Sequence, residues 1–149
     1  MFFILQLPNQ HTMLTKKRLS NLEYQITGAC IEVHKHLGPG LLESVYHKCL
    51  MKELEDRNLR VSSEQTVMVS YKGLLLDTEL RLDLYVENCI AVELKAVKEW
   101  EPVFDAQLLT YMKLLETPKG LLFNFNCLNI IQQGKKSFVN EYYQLLPDE

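Results

Sequence analysis

The chain has 149 residues, 47% hydrophobic and 23% charged, the composition of a globular domain with enough length to bury a core, which excludes a disordered or fibrous chain. A formal net charge of −3 excludes a polycationic nucleic-acid coat but leaves room for a local basic groove beside an acidic metal site. Cys30, Cys49, Cys89 and Cys127 lie far apart in apolar surroundings without a C-x-x-C pair, so buried free thiols in a reducing, cytoplasmic setting are expected rather than a zinc or iron–sulfur site.

The opening "MFFILQLPNQ" is apolar but short, without the basic start and small-residue cleavage site of a signal peptide. No later apolar run approaches the ~20 residues that span a bilayer, so no membrane association is expected. Residues 1–19 read as a dispensable extension, with Met13 as an alternative start, and residues 20–149 as a single domain. Ser20 and Glu23 form a capping box at the head of a helix whose stripe is Leu22, Ile26, Ala29, Cys30, Val33 and Leu37. Gly38-Pro39-Gly40 ends it. A second helix follows, with Leu42, Val45, Tyr46, Cys49, Leu50 and Leu54 facing inward.

From Leu59 the period changes to two. "VMVSY" alternates, Lys72-Gly73 is a turn, and Leu74–Val86 and Ile90–Val97 are two more strand stretches. Pro102 opens a third helix, closed by Pro118 and Gly120. "GLLFNFN" is a buried strand, and "SFVNEYYQL" a last strand or short helix. The order helix, helix, three strands, helix, strand predicts an α/β fold: a mixed central sheet flanked by helices. The crossover from Val97 to Leu121 is long enough to make those two strands parallel.

Two acids and an amine, Asp83, Glu93 and Lys95, interrupt the apolar runs of "RLDLYVENCIAVELKA". A three-residue loop, Glu87-Asn88-Cys89, pairs Val86 with Ile90. It sets Asp83 directly opposite Glu93, Leu84 opposite Val92 and Leu82 opposite Leu94, whereas a two-residue loop spoils the pattern on both strands. Opposed like charges are destabilising; about 4 Å apart at an effective dielectric near 20, the repulsion is on the order of 4 kcal/mol. A shared proton, a cation or solvent relieves it. Lys95, on the same face as Glu93, supplies one positive charge and a divalent metal two. The bland reading is a solvated polar face with a Glu–Lys pair. Two further features weigh against it: Gln107 and Tyr111, four apart on one helix face, and Glu43 in the first turn of the second helix.

Glu43, Asp83, Glu93-x-Lys95 and Gln107-x-x-x-Tyr111 form an ordered series that resembles the PD-(D/E)XK nuclease superfamily. Within it the chain resembles the GxxExxY family, whose motif is Gly40-Leu41-Leu42-Glu43-Ser44-Val45-Tyr46 here. The likeness runs from about Ser20 to about Asn140. It implies an αβββαβ restriction-endonuclease-like core, with Asp83 and Glu93 as metal ligands, Lys95 as the catalytic lysine and Glu43 as the additional helix acid. Gln107 and Tyr111 resemble the RecB-like Q-x-x-x-Y element. Leu82 stands where the motif has proline.

Carboxylates without Cys or His favour Mg²⁺ or Mn²⁺ over zinc. The ion would sit between Asp83 and Glu93, with the Leu94 carbonyl and Glu43 as further ligands. Lys95 would contact the attacking water, while Gln107 and Tyr111 position Lys95 or the substrate backbone. The expected activity is metal-dependent hydrolysis of nucleic acid, DNA before RNA; a homo-oligomer stays open. Lys16-Lys17-Arg18, Lys98, Lys113 and Lys135-Lys136 are phosphate-gripping candidates, with solvated surface as their default. His34, His36 and His47 read as helix surface, and Trp100 and Phe104 as helix-start packing or base stacking. A non-catalytic binding module is the alternative, and a wet-faced sheet protein a third reading. The intact acid–acid–lysine set favours cutting, since a module that only binds has no use for Asp83 opposite Glu93.

Overall fold

Helix α1 (Lys16–Leu37) begins four residues before the expected capping box. Its cap is Thr15, whose hydroxyl accepts from the Arg18 N–H at 3.0 Å. The Lys16 and Lys17 amides donate to the Pro147 and Asp148 carbonyls at 2.9 and 3.0 Å. Amides that a helix start leaves without partners are thus satisfied from the far end of the chain, and no local box is needed. Glu23 turns instead to Lys119 and Lys135, at 2.7 and 2.9 Å. Residues 16–19, read from sequence as extension, are the first turn of α1, with Leu19 fully buried. The computed structural model describes residues 13–77 and 80–149, so the expected dispensability of residues 1–12 lies outside the described residues.

Gly38 and Gly40 turn the chain with φ of 68° and 97°, left-handed values that glycine adopts without strain. Helix α2 (Glu43–Asp56) buries Tyr46, Leu50 and Leu54, while Leu42, expected inside, is exposed. Strands β1 (Val61–Thr66), β2 (Val69–Tyr71), β3 (Leu74–Leu76), β4 (Arg81–Val86) and β5 (Ile90–Lys95) precede α3 (Pro102–Leu114). The sequence pattern gave three strands there. The polar "VSSEQT" of β1 carries no apolar alternation to reveal it, and β2–β3 is a separate hairpin across Lys72-Gly73, both at positive φ. After α3 come β6 (Lys119–Asn124), α4 (Ile130–Gln133), β7 (Lys135–Val139) and α5 (Glu141–Gln144). The last segment is therefore a strand and then a short helix.

The main sheet has order β1-β4-β5-β6-β7. As the crossover length required, β5 and β6 are parallel; the other neighbours are antiparallel. One apolar cluster joins α1 and α2 to Leu84, Val86, Val92, Leu94 and Phe123. The other joins Leu108 and Met112 of α3 to Ala91 and Leu122. Helix α3 lies so close to β6 that a Cβ on Gly120 would sit 2.5 Å from Met112 Sδ. Simple alternation expects Leu82 and Leu84 on one face, yet Leu82 packs in the α3 cluster. Strand β4 departs from its regular pleat between them, at Asp83.

Candidate metal centre

The turn into α2 explains why Gly40, Glu43 and Tyr46 occur together. Tyr46 is fully buried and stacks on Phe125 with ring centroids 4.5 Å apart. Its hydroxyl donates to the Gly38 carbonyl at 2.6 Å and accepts from the Leu41 N–H at 3.1 Å. The glycines permit the turn, the tyrosine braces it, and Glu43 starts the helix that leaves it.

Strands β4 and β5 pair as the three-residue loop dictates, Val86 with Ile90 through Leu84 with Val92. There the backbone ladder stops and the carboxylates take over. The Leu94 N–H donates to Asp83 Oδ2 at 2.8 Å, and the Asp83 N–H donates to Glu93 Oε1 at 3.1 Å. The two acids meet, but through the Asp83 amide and the Glu93 carboxylate rather than as a paired rung of the ladder. Leu82 and Leu94 do not, because they pack in different clusters.

Glu93 is 5% exposed. Burial, and after it the charge of Asp83, pushes its carboxyl up to about 8, and a side-chain hydrogen bond with Asp83 favours the protonated form. Lys95 opposes this only weakly. Its ammonium lies 4.4 Å above the Phe104 ring and forms no ion pair within 4.0 Å among the described residues. The Glu93–Lys95 pair of the bland reading does not form among the described residues; burial favours the protonated Glu93, and the Asp83 and Leu94 amides donate to the two carboxylates.

Asp83 also faces the opposite way. His47 of α2, Glu64 of β1 and Asp83 each offer a ligand atom, all within 4.8 Å of one another. They line an open cleft of about 470 Å³ with Glu43, Ser44, Lys48 and Ser63. Glu43 carries a carboxyl raised above the ordinary value by partial desolvation, then by Asp83 and, more weakly, Glu64. Glu64 adopts φ of 54° and drops out of the β1–β4 ladder.

The reading of His47 as helix surface is thereby corrected. Its partners come from β1 and β4, which sequence spacing on α2 does not reveal. The premise that no histidine stands near the acids falls with it. The readable signal was Glu43-x-x-x-His47, four apart on one helix face; Glu64 was hidden in a strand the pattern did not show. Of the residues named in advance as ligands, Asp83 belongs to this group, while Glu43 and Glu93 flank it. Leu94 contributes an amide to Asp83, and its side chain is in the core.

Gln107 donates from Nε2 to the Tyr111 hydroxyl at 3.1 Å. Tyr111 is buried, and burial followed by the charge of Glu93 raises its hydroxyl. This pair therefore stands beside Glu93 and makes no hydrogen bond to Lys95. Trp100 and Phe104 serve as platforms for cations. The Trp100 Nε1–H donates to Asp105 at 2.9 Å, Lys136 sits 4.6 Å above the indole, and Phe104 lies under Lys95. Lys16, Lys17, Arg18, Lys135 and Lys136 are engaged with acids, whereas Lys98 and Lys113 are exposed and have no such partner among the described residues. All four cysteines are free, two of them buried and two partly so.

Carboxylates on two adjacent strands, a third from the edge strand and an imidazole make a donor set suited to a divalent cation. Among the described residues no helix is long and apolar enough to cross a membrane. A family profile described as the PD-(D/E)XK nuclease superfamily matches residues 20–137. Neither curated proteins nor solved structures gave a match. With the sheet, its two hydrogen-bonded acids and the lysine two residues on all inside that span, the chain belongs to the PD-(D/E)XK nuclease superfamily.

Proposed function

We propose that the protein is a Mg²⁺- or Mn²⁺-dependent nuclease acting on DNA, of the GxxExxY type, working in the cytoplasm. One observation carries this reading: Asp83 is shared between a buried acid, Glu93, and a cleft lined by Glu43, His47 and Glu64. The free cysteines suit a reducing compartment.

Asp83 and deprotonated Glu93 would hold the cation, with Glu43 beside them as a further acid. When bound there, a dication would neutralise charge on the scissile phosphate and acidify water. Lys95, held over the Phe104 ring, would orient the attacking water and stabilise charge developing in the transition state. Tyr111, held by Gln107, closes the α3 side of Glu93 against solvent. Lys48, on the cleft wall, offers a contact for the backbone of the substrate.

The test is cleavage of a labelled duplex and a labelled single strand with Mg²⁺, with Mn²⁺ and with EDTA, for wild type, Asp83→Asn and Lys95→Ala. Metal-dependent cutting by wild type, lost in both variants, supports the reading. Equal residual activity in wild type and Lys95→Ala would overturn it. Mn²⁺ binding without cleavage of either substrate would leave the non-catalytic module.

A further inference from the structure

The geometry points to a second cation subsite, formed by His47, Glu64 and Asp83, that takes a first-row transition-metal dication in preference to Mg²⁺. It rests on the nuclease reading for Asp83 and adds two residues from outside the acid–acid–lysine series.

The imidazole is built into place. Only 14% of the His47 side chain is exposed. Its Nε2 lies 2.8 Å from Ser63 Oγ, and its Nδ1 lies 3.9 Å from Glu64 Oε1. Ser63 can accept from Nε2–H, which puts the lone pair on Nδ1. Histidines that bind metals are commonly oriented in this way through their second nitrogen. The Nδ1 to Glu64 gap is too long for a hydrogen bond; an ion bonded to both atoms at about 2.1 Å would draw them roughly half an ångström closer, a shift the exposed Glu64 side chain can make.

Three elements supply the three ligands, two of them anchored independently of the site. Helix α2 is anchored by the buried Tyr46, Leu50 and Leu54. Asp83 is held through the Leu94 amide. Glu64 leaves the β1–β4 ladder at φ of 54°, and its carboxylate stands on the cleft wall. The cleft is open, so an ion and its remaining waters have access.

The donor set decides the metal. Mg²⁺ favours oxygen ligands and keeps its waters, whereas first-row transition dications accept an imidazole nitrogen, Mn²⁺ the least tightly of them and so the most demanding probe against Mg²⁺. Asp83, with Glu93 on one side and His47 and Glu64 on the other, is placed as the bridging carboxylate of a two-ion arrangement.

The experiment is Mn²⁺ and Mg²⁺ titration of the full chain by calorimetry, with pulsed electron paramagnetic resonance of the Mn²⁺-loaded protein. Wild type should show ¹⁴N coupling from a directly bound imidazole, and His47→Gln should lose it. His47→Gln and Glu64→Gln should each weaken Mn²⁺ at this subsite by about tenfold or more, with Mg²⁺ affinity little changed. Glu64 is exposed on an edge strand, so its variant tests the subsite even if His47→Gln folds poorly. Bound Mn²⁺ without ¹⁴N coupling, or an unchanged Mn²⁺ to Mg²⁺ preference in both variants, overturns the subsite and leaves the nuclease reading standing. Absence of any Mn²⁺ or Mg²⁺ binding by wild type overturns both.

Discussion

Glu93→Gln tests the energetic core of the site without reference to activity. Glutamine has the same shape and can still accept from the Asp83 amide, so the variant removes the charge and little else. A carboxyl raised from 4.5 to about 8 carries on the order of 5 kcal/mol, at about 1.4 kcal/mol per tenfold change. Below pH 4.5 both the folded and the unfolded wild type hold the proton. Between 4.5 and about 8 only the folded state does, so wild-type stability falls as pH rises and the contribution is gone above about 8. Glu43 tilts the wild type in the same direction, but it is present in both proteins and largely cancels in the difference.

In EDTA, Glu93→Gln should therefore match wild type near pH 5 and exceed it by several kcal/mol at pH 9, a large share of a domain's ~5–15 kcal/mol. Urea unfolding followed through Trp100, the single tryptophan, reads this directly. Saturating Mn²⁺ should narrow the gap at pH 9, because only wild type gains fully from binding; at about 100 times Kd that gain is about 2.7 kcal/mol. A stability difference between the two proteins that stays flat from pH 5 to pH 9 would refute the buried-acid argument.

Tyr46→Phe removes the hydroxyl that joins Gly38 and Leu41 and should cost about 1–3 kcal/mol in thermal or urea unfolding. Phe104→Leu takes the platform from under Lys95. It should lower kcat by a few-fold to about thirtyfold, as expected for a cation–π contact of about 0.5–2 kcal/mol, with calorimetric Mn²⁺ affinity unchanged and activity restored by Phe104→Tyr. Glu23→Gln breaks contacts to both Lys119 and Lys135 at a half-buried position and should destabilise by roughly 2–3 kcal/mol, somewhat less than a fully buried pair. Its carboxyl is held below the ordinary value by those two lysines, against the opposing effect of burial. The contribution is therefore present above the unfolded-state value and lost as pH falls through the folded one, so the variant's deficit should shrink in acid unfolding curves.

The hairpin register was legible as far as Leu84 and Val92, because only one loop length pairs apolar with apolar there, but the Leu82–Leu94 pair expected from the same pattern does not form. The parallel crossover was legible from its length. Three other features were not. Thr15 lacks an acid three residues on, and α1 draws its cap from Pro147 and Asp148, a contact between chain ends that no local pattern encodes. Strand β1 is an edge strand whose polar residues face water, so alternation fails there and Glu64 went unseen. His47 stands four residues after Glu43, a readable spacing, but its partners lie on strands folded against α2. At Asp83 the β4–β5 ladder has ended, and a side chain rather than a backbone carbonyl answers the Leu94 amide, which no strand pattern reveals.

That last bond changes what the persistence of an acid means. Asp83 is a rung of the sheet as well as a ligand. Alanine there would strand a buried amide, a penalty of about 1–3 kcal/mol, while asparagine can keep the rung and drop the charge. A lineage that stopped cutting would still be held to a side-chain acceptor at this position by folding alone, so the opposed acids testify less to present use than their rarity suggests. The Lys95 ammonium, by contrast, serves no backbone group and among the described residues rests on an aromatic ring. A lysine there answers to the chemistry rather than to the fold.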